Sequence, residues 1–244
     1  MKLFRILVIF TSCIGSFAYA EWDPSCLSQE FAHLLNQRKY INLKKIIISE
    51  LKNSWCSVEK INLLMDLILL TQPEICVEIG AFTGSSILPI ASTLKYINSG
   101  EIFAIDAWSN AEATKYLTDN DPNKLWWSQL DMKLIHDSYR FLMNKWSLGG
   151  YYTEIFKPST EAIHDVPGEI DFLHLDGDYS EIGSLQDVEL YLPKVKSGGY
   201  ILLSNFYTII HREQPKNKSF VLICDTCDIV TSIENNNAVL FRKN

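Results

Sequence analysis

The stretch Ile75-Cys76-Val77-Glu78-Ile79-Gly80-Ala81-Phe82-Thr83-Gly84-Ser85-Ser86 narrows the fold more than any other part of the chain. An apolar, largely β-branched run precedes Gly80, and Ile87, Leu88, Ile90, Ala91 and Leu94 follow Gly84 at helical spacing. The pattern predicts strand, tight loop and helix. Such a unit opens an α/β fold in which ligands sit beyond the carboxyl ends of the strands, where glycines admit the backbone and a helix N-terminus offers free N–H groups. A dinucleotide site would need a second glycine two residues after the first, so that the backbone can touch a pyrophosphate. That position is Phe82. A ring there crowds a diphosphate and suits a ligand without one, and Glu78 at the strand end suits a cationic amino group.

The pattern Glu-hydrophobic-Gly-x-aromatic-x-Gly-x-Ser, met by Glu78, Gly80, Phe82, Gly84 and Ser86, resembles motif I of the catechol and caffeoyl-CoA type S-adenosylmethionine (SAM) O-methyltransferases. The resemblance implies a Rossmann-like α/β fold with a seven-stranded sheet, mostly parallel and with its last strand antiparallel. It also implies SAM as cofactor, held by Glu78, Gly80, Ala81, Phe82, Gly84 and Ser86. In nucleotide-binding α/β folds an acidic side chain at the end of the second strand accepts hydrogen bonds from ribose hydroxyls. Glu101 to Asp106 reads as that strand, so Asp106, followed by Ala107 and Trp108, takes this place. A serine at the position of Ser159 contacts the adenine side of SAM in the family. A second stretch, Asp176-Gly177-Asp178-Tyr179 after an apolar fourth strand, resembles the Asp-Gly-Asp segment of small-molecule O-methyltransferases, including those acting on macrolide sugars. Together the resemblance covers residues 57–244 and implies a small-molecule acceptor.

Transfer of a methyl group to a hydroxyl requires the nucleophile to be deprotonated and held in line, which the family achieves with a divalent metal and a general base. Asp176 matches the first metal ligand, but Ser204-Asn205 stands where the family has a carboxylate-bearing pair, leaving Asp176 and Asn205 at most. Mg²⁺ favours carboxylate oxygen, so weak or absent metal dependence is expected. The family base, Lys or His three residues after the metal-binding Asp, is Tyr179 here. Catalysis is therefore expected from Asp176, Asp178 or Tyr179, with Asp178 the better carboxylate to help. Two other readings stay open: a SAM-fold binding module that has lost catalysis, and an iron site from His174 and Asp176 with the distant His211.

Residues 1–20 read as a secretory signal peptide: Lys2 and Arg5, an apolar run from Ile6 to Ala18, and the Ala18-Tyr19-Ala20 cleavage site. A lipoprotein reading at Cys13 has a poor lipobox before it, Phe10-Thr11-Ser12. Cleavage lowers the 22 basic residues to 20 against 29 acidic ones and takes the net charge from −7 to −9. So acidic a surface argues against nucleic acid, which needs clustered Lys and Arg. No stable membrane anchor remains after cleavage, and the chain is expected to be exported and, because SAM is made in cytosol, delivered to a compartment that contains it. In an exported chain Cys26 with Cys56 and Cys224 with Cys227 are the candidate disulfides, with Cys76 buried in the first strand.

Residues 21–72 form an N-terminal helical segment, with helices expected over 25–37, 42–53 and 57–71, and residues 73–244 the SAM-binding domain. In the third helix Glu59, Asn62 and Asp66 make a polar stripe. Residues 109–129, with the pair Trp126-Trp127, read as a helical insert above the ligand end of the sheet. Trp108, Trp126 and Trp127 either line a substrate pocket or pack the insert. A third strand is expected near 151–156, a helix over 181–192, a fifth strand over 200–203, and a closing hairpin near 228–233 and 238–242 around Asn235-Asn236-Asn237.

Overall fold

The computed structural model describes residues 23, 24, 27, 30–206 and 216–244. The expected leader, Cys26 and His211 therefore lie outside the described residues.

Strand alternation sorts the core. In β1 (Ile75–Ile79), Cys76 and Glu78 point to one face of the sheet and Val77 and Ile79 to the other; in β4 (Ile170–Leu175), Phe172 and His174 match the first pair, Leu173 and Leu175 the second. Successive strand side chains point to opposite faces, so a sheet with apolar residues on both is covered on both. On the first face lie α1 (Arg38–Glu50), α2 (Val58–Thr71), α3 (Ile87–Ile97) and α6 (Met132–Lys145). On the second lie α7 (Ser159–Ala162), α8 (Glu181–Tyr191) and α9 (Asn217–Cys224). The remaining strands are β2 (Glu101–Asp106), β3 (Tyr152–Phe156), β5 (Val195–Leu203), β6 (Cys227–Ile233) and β7 (Ala238–Lys243). Their order is β3-β2-β1-β4-β5-β7-β6, parallel except for β7, which runs antiparallel to both neighbours. This is the expected seven-stranded Rossmann-like sheet.

The connection order reverses between β1 and β4, which opens a crevice at their carboxyl ends. Backbone bonds set its floor: Gly80 N donates to Ile105 O at 2.9 Å and Asp176 N to Ile79 O at 3.0 Å. Gly80 has φ +94°, and a Cβ there would meet the Asp176 carbonyl oxygen at 2.5 Å. Only glycine lets the two strand ends close in this way.

Some elements differ from expectation. Where a helix was expected over residues 25–37, the described residues hold only a short 3-10 helix, Ala32–Asn36. The second helix begins at Arg38 and ends at Glu50, four residues before and three before its expected bounds. The polar stripe of α2 meets protein: Asp66 accepts from the Tyr40 hydroxyl at 2.8 Å and Lys44 Nζ at 2.9 Å, and Glu59 Oε2 accepts from Glu234 N at 2.9 Å. β5 starts five residues early because Gly198, at φ +79°, lets the chain shift register, pairing Ile170 with Val195 but Phe172 with Tyr200. Residues 109–129 hold α4 (Asn110–Thr114) and α5 (Pro122–Gln129). Of the two outcomes left open for Cys224 and Cys227, a pair or two free thiols, the structure has free thiols, Cys224 at the end of α9 and Cys227 at the start of β6, both packed on the second core. Cys56 is also a buried free thiol. Among the described residues no helix is long and apolar enough to cross a membrane.

Candidate active site

A cleft with about 1260 Å³ of empty space, open mouth included, lies over the carboxyl ends of β1, β2 and β4. Gly80, Ala81, Phe82 and Ser86 border it from the first loop, Asp106 and Ala107 from β2, Ser159 from α7, and Asp176, Asp178 and Tyr179 from the segment after β4. Gln186 and Asp187 of α8 and Tyr116 and Trp127 of the insert close its sides, and the Tyr116 hydroxyl donates to Gln186 Oε1 at 2.8 Å.

The turn after β1 is held by Asp106. Its Oδ2 accepts from Phe82 N at 2.9 Å and its Oδ1 from Trp108 N at 2.7 Å, while Trp108 Nε1 donates to the Phe82 carbonyl at 2.8 Å. Burial raises the Asp106 carboxyl above its ordinary range and the two N–H groups draw it back. Phe82 itself has φ +43°, a left-handed conformation that throws its ring outward, where it stacks on Trp55 at 5.1 Å between centroids and meets Trp127 edge-on at 5.6 Å. Trp127 in turn lies 5.6 Å from Tyr179, and Trp126, 40 % exposed, packs on Trp55. The tryptophan alternatives thus divide: Trp127 lines the cleft, Trp126 is on its rim, and Trp108 packs against His136, Tyr139 and Phe156.

Three expected ligand residues do not line the cleft. Glu78 is fully buried, directly paired with His174 across β1 and β4, and its carboxylate accepts from the Ser86 hydroxyl and from His174 Nδ1, the latter at 2.9 Å. That bond takes Ser86 Oγ away from capping α3. Gly84 makes room for α6, since a Cβ would meet Met143 and Tyr139 at 2.9 Å. Trp108 touches the site only through its bonds to Asp106 and Phe82. The other expected cofactor residues are brought together.

At the β4–β5 end, Asp176 Oδ1 accepts from Asn205 Nδ2 at 2.5 Å, and its Oδ2 lies 3.6 Å from both Lys60 Nζ and His174 Nε2. Lys60 Nζ is also 3.5 Å from Glu234 Oε2. Burial pushes the Lys60 ammonium down, but the Asp176 and Glu234 carboxylates outweigh it and hold its pKa above the ordinary value. Ser204 is buried with its hydroxyl 2.9 Å from His174 Nε2. A divalent metal does not fit this donor set. Asp176 is already paired with an ammonium, Ser204 is occupied by His174, and Asn205 turns its amide N–H to Asp176. Both nitrogens of His174 are engaged as well, which leaves none for an iron, and no cluster of three His, Cys, Asp or Glu suited to a metal exists among the described residues.

The candidate bases differ in their surroundings. Tyr179 is pushed well above the usual phenol range, first by burial and then by Asp176, against an opposing pull from Lys60, so it stays a phenol at neutral pH. Asp178 spends Oδ1 on Ser180 N at 2.6 Å, and burial raises its pKa. Asp176 combines a position at the cleft with the Lys60 ammonium 3.6 Å away. Further along, Ser159 Oγ donates to Asp187 Oδ1 at 2.5 Å, and burial pushes Asp187 up to about 7, despite that bond. Lys216, buried and with its pKa lowered by burial, lies 5.8 Å over the Tyr179 ring.

Sequence reading missed Lys60, Glu234, Asp187 and Trp55. One signal existed: Lys60 shares its face of α2 with Leu63, Leu64 and Leu67, all buried, and a lone cation on an apolar face needs a partner. Glu234 and Trp55 sit in loops, where no periodicity points to them.

Comparison with known proteins agrees with this geometry. A family model described as a methyltransferase domain matches residues 77–206, more than half of the chain. No curated protein sequence matches. Among solved structures, the chain is similar to the O-methyltransferase NovP, with 14% identity over 76% of this chain and 78% of that one and a TM-score of 0.60. It is similar to the O-methyltransferase TomG from Streptomyces achromogenes in complex with SAM, with 12% identity over 91% and 100% and a TM-score of 0.55. An O-methyltransferase from Bacillus cereus in complex with SAH gives 13% identity over 91% and 100% and a TM-score of 0.53. At such identities the structures speak for the fold, and the family match carries the assignment: the chain belongs to the methyltransferase-domain family.

Proposed function

We propose that the protein transfers a methyl group from SAM to a hydroxyl of a small-molecule acceptor without needing a divalent metal. The observation that carries this reading is the cleft itself, where Gly80 and Ala81, the Asp106 carboxylate, Ser159 and Asp176 converge on one space. Gly80 and Ala81 leave room for a ligand backbone-close, and Asp106, whose oxygens keep accepting capacity beyond their two N–H bonds, would accept from a ribose diol. SAM and SAH bound to similarly folded O-methyltransferases support the choice of cofactor.

SAM would supply an electrophilic methyl on a sulfonium. An acceptor hydroxyl set beside Asp176 would give its proton to that carboxylate and on to solvent, leaving its oxygen free to take the methyl that SAM would supply. Asp176 is the base of this reading; Tyr179 remains a protonated wall of the cleft, and Asp178 supports the start of α8 through Ser180.

Calorimetric titration of the protein with S-adenosylhomocysteine, with and without Mg²⁺, tests it. Binding is expected to be indifferent to Mg²⁺ and to weaken by about 10- to 100-fold in Asp106→Ala, which removes a polar contact and leaves two N–H groups unpaired. Absence of binding in both conditions would overturn it. The suppressed acidity of Tyr179 and the unfitness of Ser204 for metal favour a second reading, a SAM-binding module without catalysis. Binding with no methyl transfer to any member of a hydroxyl acceptor panel would select that one. The leader-like residues 1–20 support export and delivery to a SAM-containing compartment; fractionation that confines the mature form to a SAM-free periplasm would exclude delivery.

A further inference from the structure

We propose that the Lys60 ammonium is a built-in cation occupying the place that the family resemblance gives to a divalent metal, and that it holds the acceptor oxygen during transfer; the second half rests on the methyltransferase reading. Lys60 borders the cleft, yet its side chain is only 6% exposed, and its Nζ lies 3.6 Å from Asp176 Oδ2 and 3.5 Å from Glu234 Oε2. Two carboxylates from different parts of the chain therefore converge on one charge. Neither arrives by accident of a mobile side chain. Asp176 is fixed through Asn205, and Glu234 sits in a hairpin turn where it, Asn235 and Asn236 are all left-handed, tied down by its own N–H bonded to Glu59 of α2. The turn and the helix that carries Lys60 thus position each other.

Carboxylates brought this close repel unless a cation stands between them, and a divalent ion or an ammonium can fill that role. Here it is the ammonium, and its position excludes the metal by charge and by volume. An acceptor hydroxyl that approaches Asp176 meets a fixed positive charge with N–H donors, aimed where negative charge grows on oxygen as the proton leaves. Because the cation belongs to the chain, it does not dissociate between turnovers as a bound metal can.

The experiment is a Mn²⁺ titration followed by electron paramagnetic resonance on the whole protein, with wild type, Lys60→Ala, Lys60→Gln and Lys60→Ala combined with Glu234→Gln. Wild type is expected to leave millimolar Mn²⁺ free. Lys60→Ala and Lys60→Gln, each exposing the carboxylate pair to a hard cation, should bind Mn²⁺ at least about 10-fold more tightly, and the double variant should lose that gain. A lysine that did not stand between the two carboxylates would not produce a new metal site when removed. Stoichiometric Mn²⁺ on wild type overturns the proposal, as does the absence of any gain in both single variants. Lys60→Gln retains a hydrogen-bonding side chain and serves if Lys60→Ala does not fold, and the wild-type titration decides by itself. Parallel titration with S-adenosylhomocysteine keeps the two ideas apart: wild type that fails to bind it sinks the methyltransferase reading, while the Mn²⁺ result still reports on the cation.

Discussion

The two ends of the cleft are built by different means. At the β1–β2 end the walls are backbone: Gly80 closes on the Asp176 carbonyl, and Asp106 gathers the N–H groups of Phe82 and Trp108 within a span of neighbouring loops. At the β4–β5 end the wall is made by the side chains of Lys60 from α2 and Asp176 after β4, which are held from behind by Asn205 after β5 and Glu234 from the terminal hairpin. The first end is a local device that any strand–loop–helix unit with the right residues can make. The second is assembled only by the complete fold. The loop after β1 can be carried by one motif, whereas the cluster around Asp176 depends on residues that have no fixed spacing in sequence.

Substitutions should separate the two ends, beginning with the largest effect. Gly80→Val places a Cβ 2.5 Å from a carbonyl oxygen at φ +94°, so both packing and backbone oppose it. It is expected to cost about 3 kcal/mol or more and to abolish binding of S-adenosylhomocysteine, read by urea unfolding and calorimetry. Normal binding in a fully stable variant would show that the close approach of β1 and β4 is not what shapes the cofactor end.

Between α7 and α8, Asp187 gives a pH signature. Its carboxyl is raised from 3.8 to about 7, chiefly by burial, so the folded protein keeps a proton that the unfolded chain releases. Folding therefore binds more protons between those values, and stability falls as pH rises from about 4 to about 7, then levels off. Asp187→Asn removes this loss and should be more stable than the parent at pH 8 by on the order of 1–3 kcal/mol, with the advantage shrinking toward pH 4. Thermal unfolding across that range measures it, and a difference independent of pH would assign the ionisation elsewhere.

The smallest effect belongs to the rim. Trp55 is 59% exposed and stacks on Phe82, and an exposed aromatic pair contributes about 0.5–1 kcal/mol. Trp55→Ala should lower stability by that amount and change affinity for S-adenosylhomocysteine by less than about 3-fold. A larger loss in affinity would move Trp55 from the rim into the cofactor site.

What could be read in advance follows the same division. The glycine loop, Asp106 and the segment Asp176 to Tyr179 were legible because strand, turn and helix each impose a period or a residue type on a few adjacent positions. The seven-stranded, mostly parallel sheet was legible through the family resemblance, whereas the structure puts Glu78 and His174 on one face, directly paired. Glu78 nevertheless turned out to serve His174 and Ser86, since a residue's face says nothing about which partner reaches it first.

The sequence by itself determined the α/β class and the place of the cleft at the strand ends, because each rests on contacts between near neighbours or on residue types alone. The tertiary structure decided what surrounds Asp176. Lys60 and Glu234 are separated by most of the chain, and only the packing of α2 against the β6–β7 turn brings an ammonium and a second carboxylate to Asp176. Electrostatic partners act through distance in space, and no period in the sequence encodes that distance.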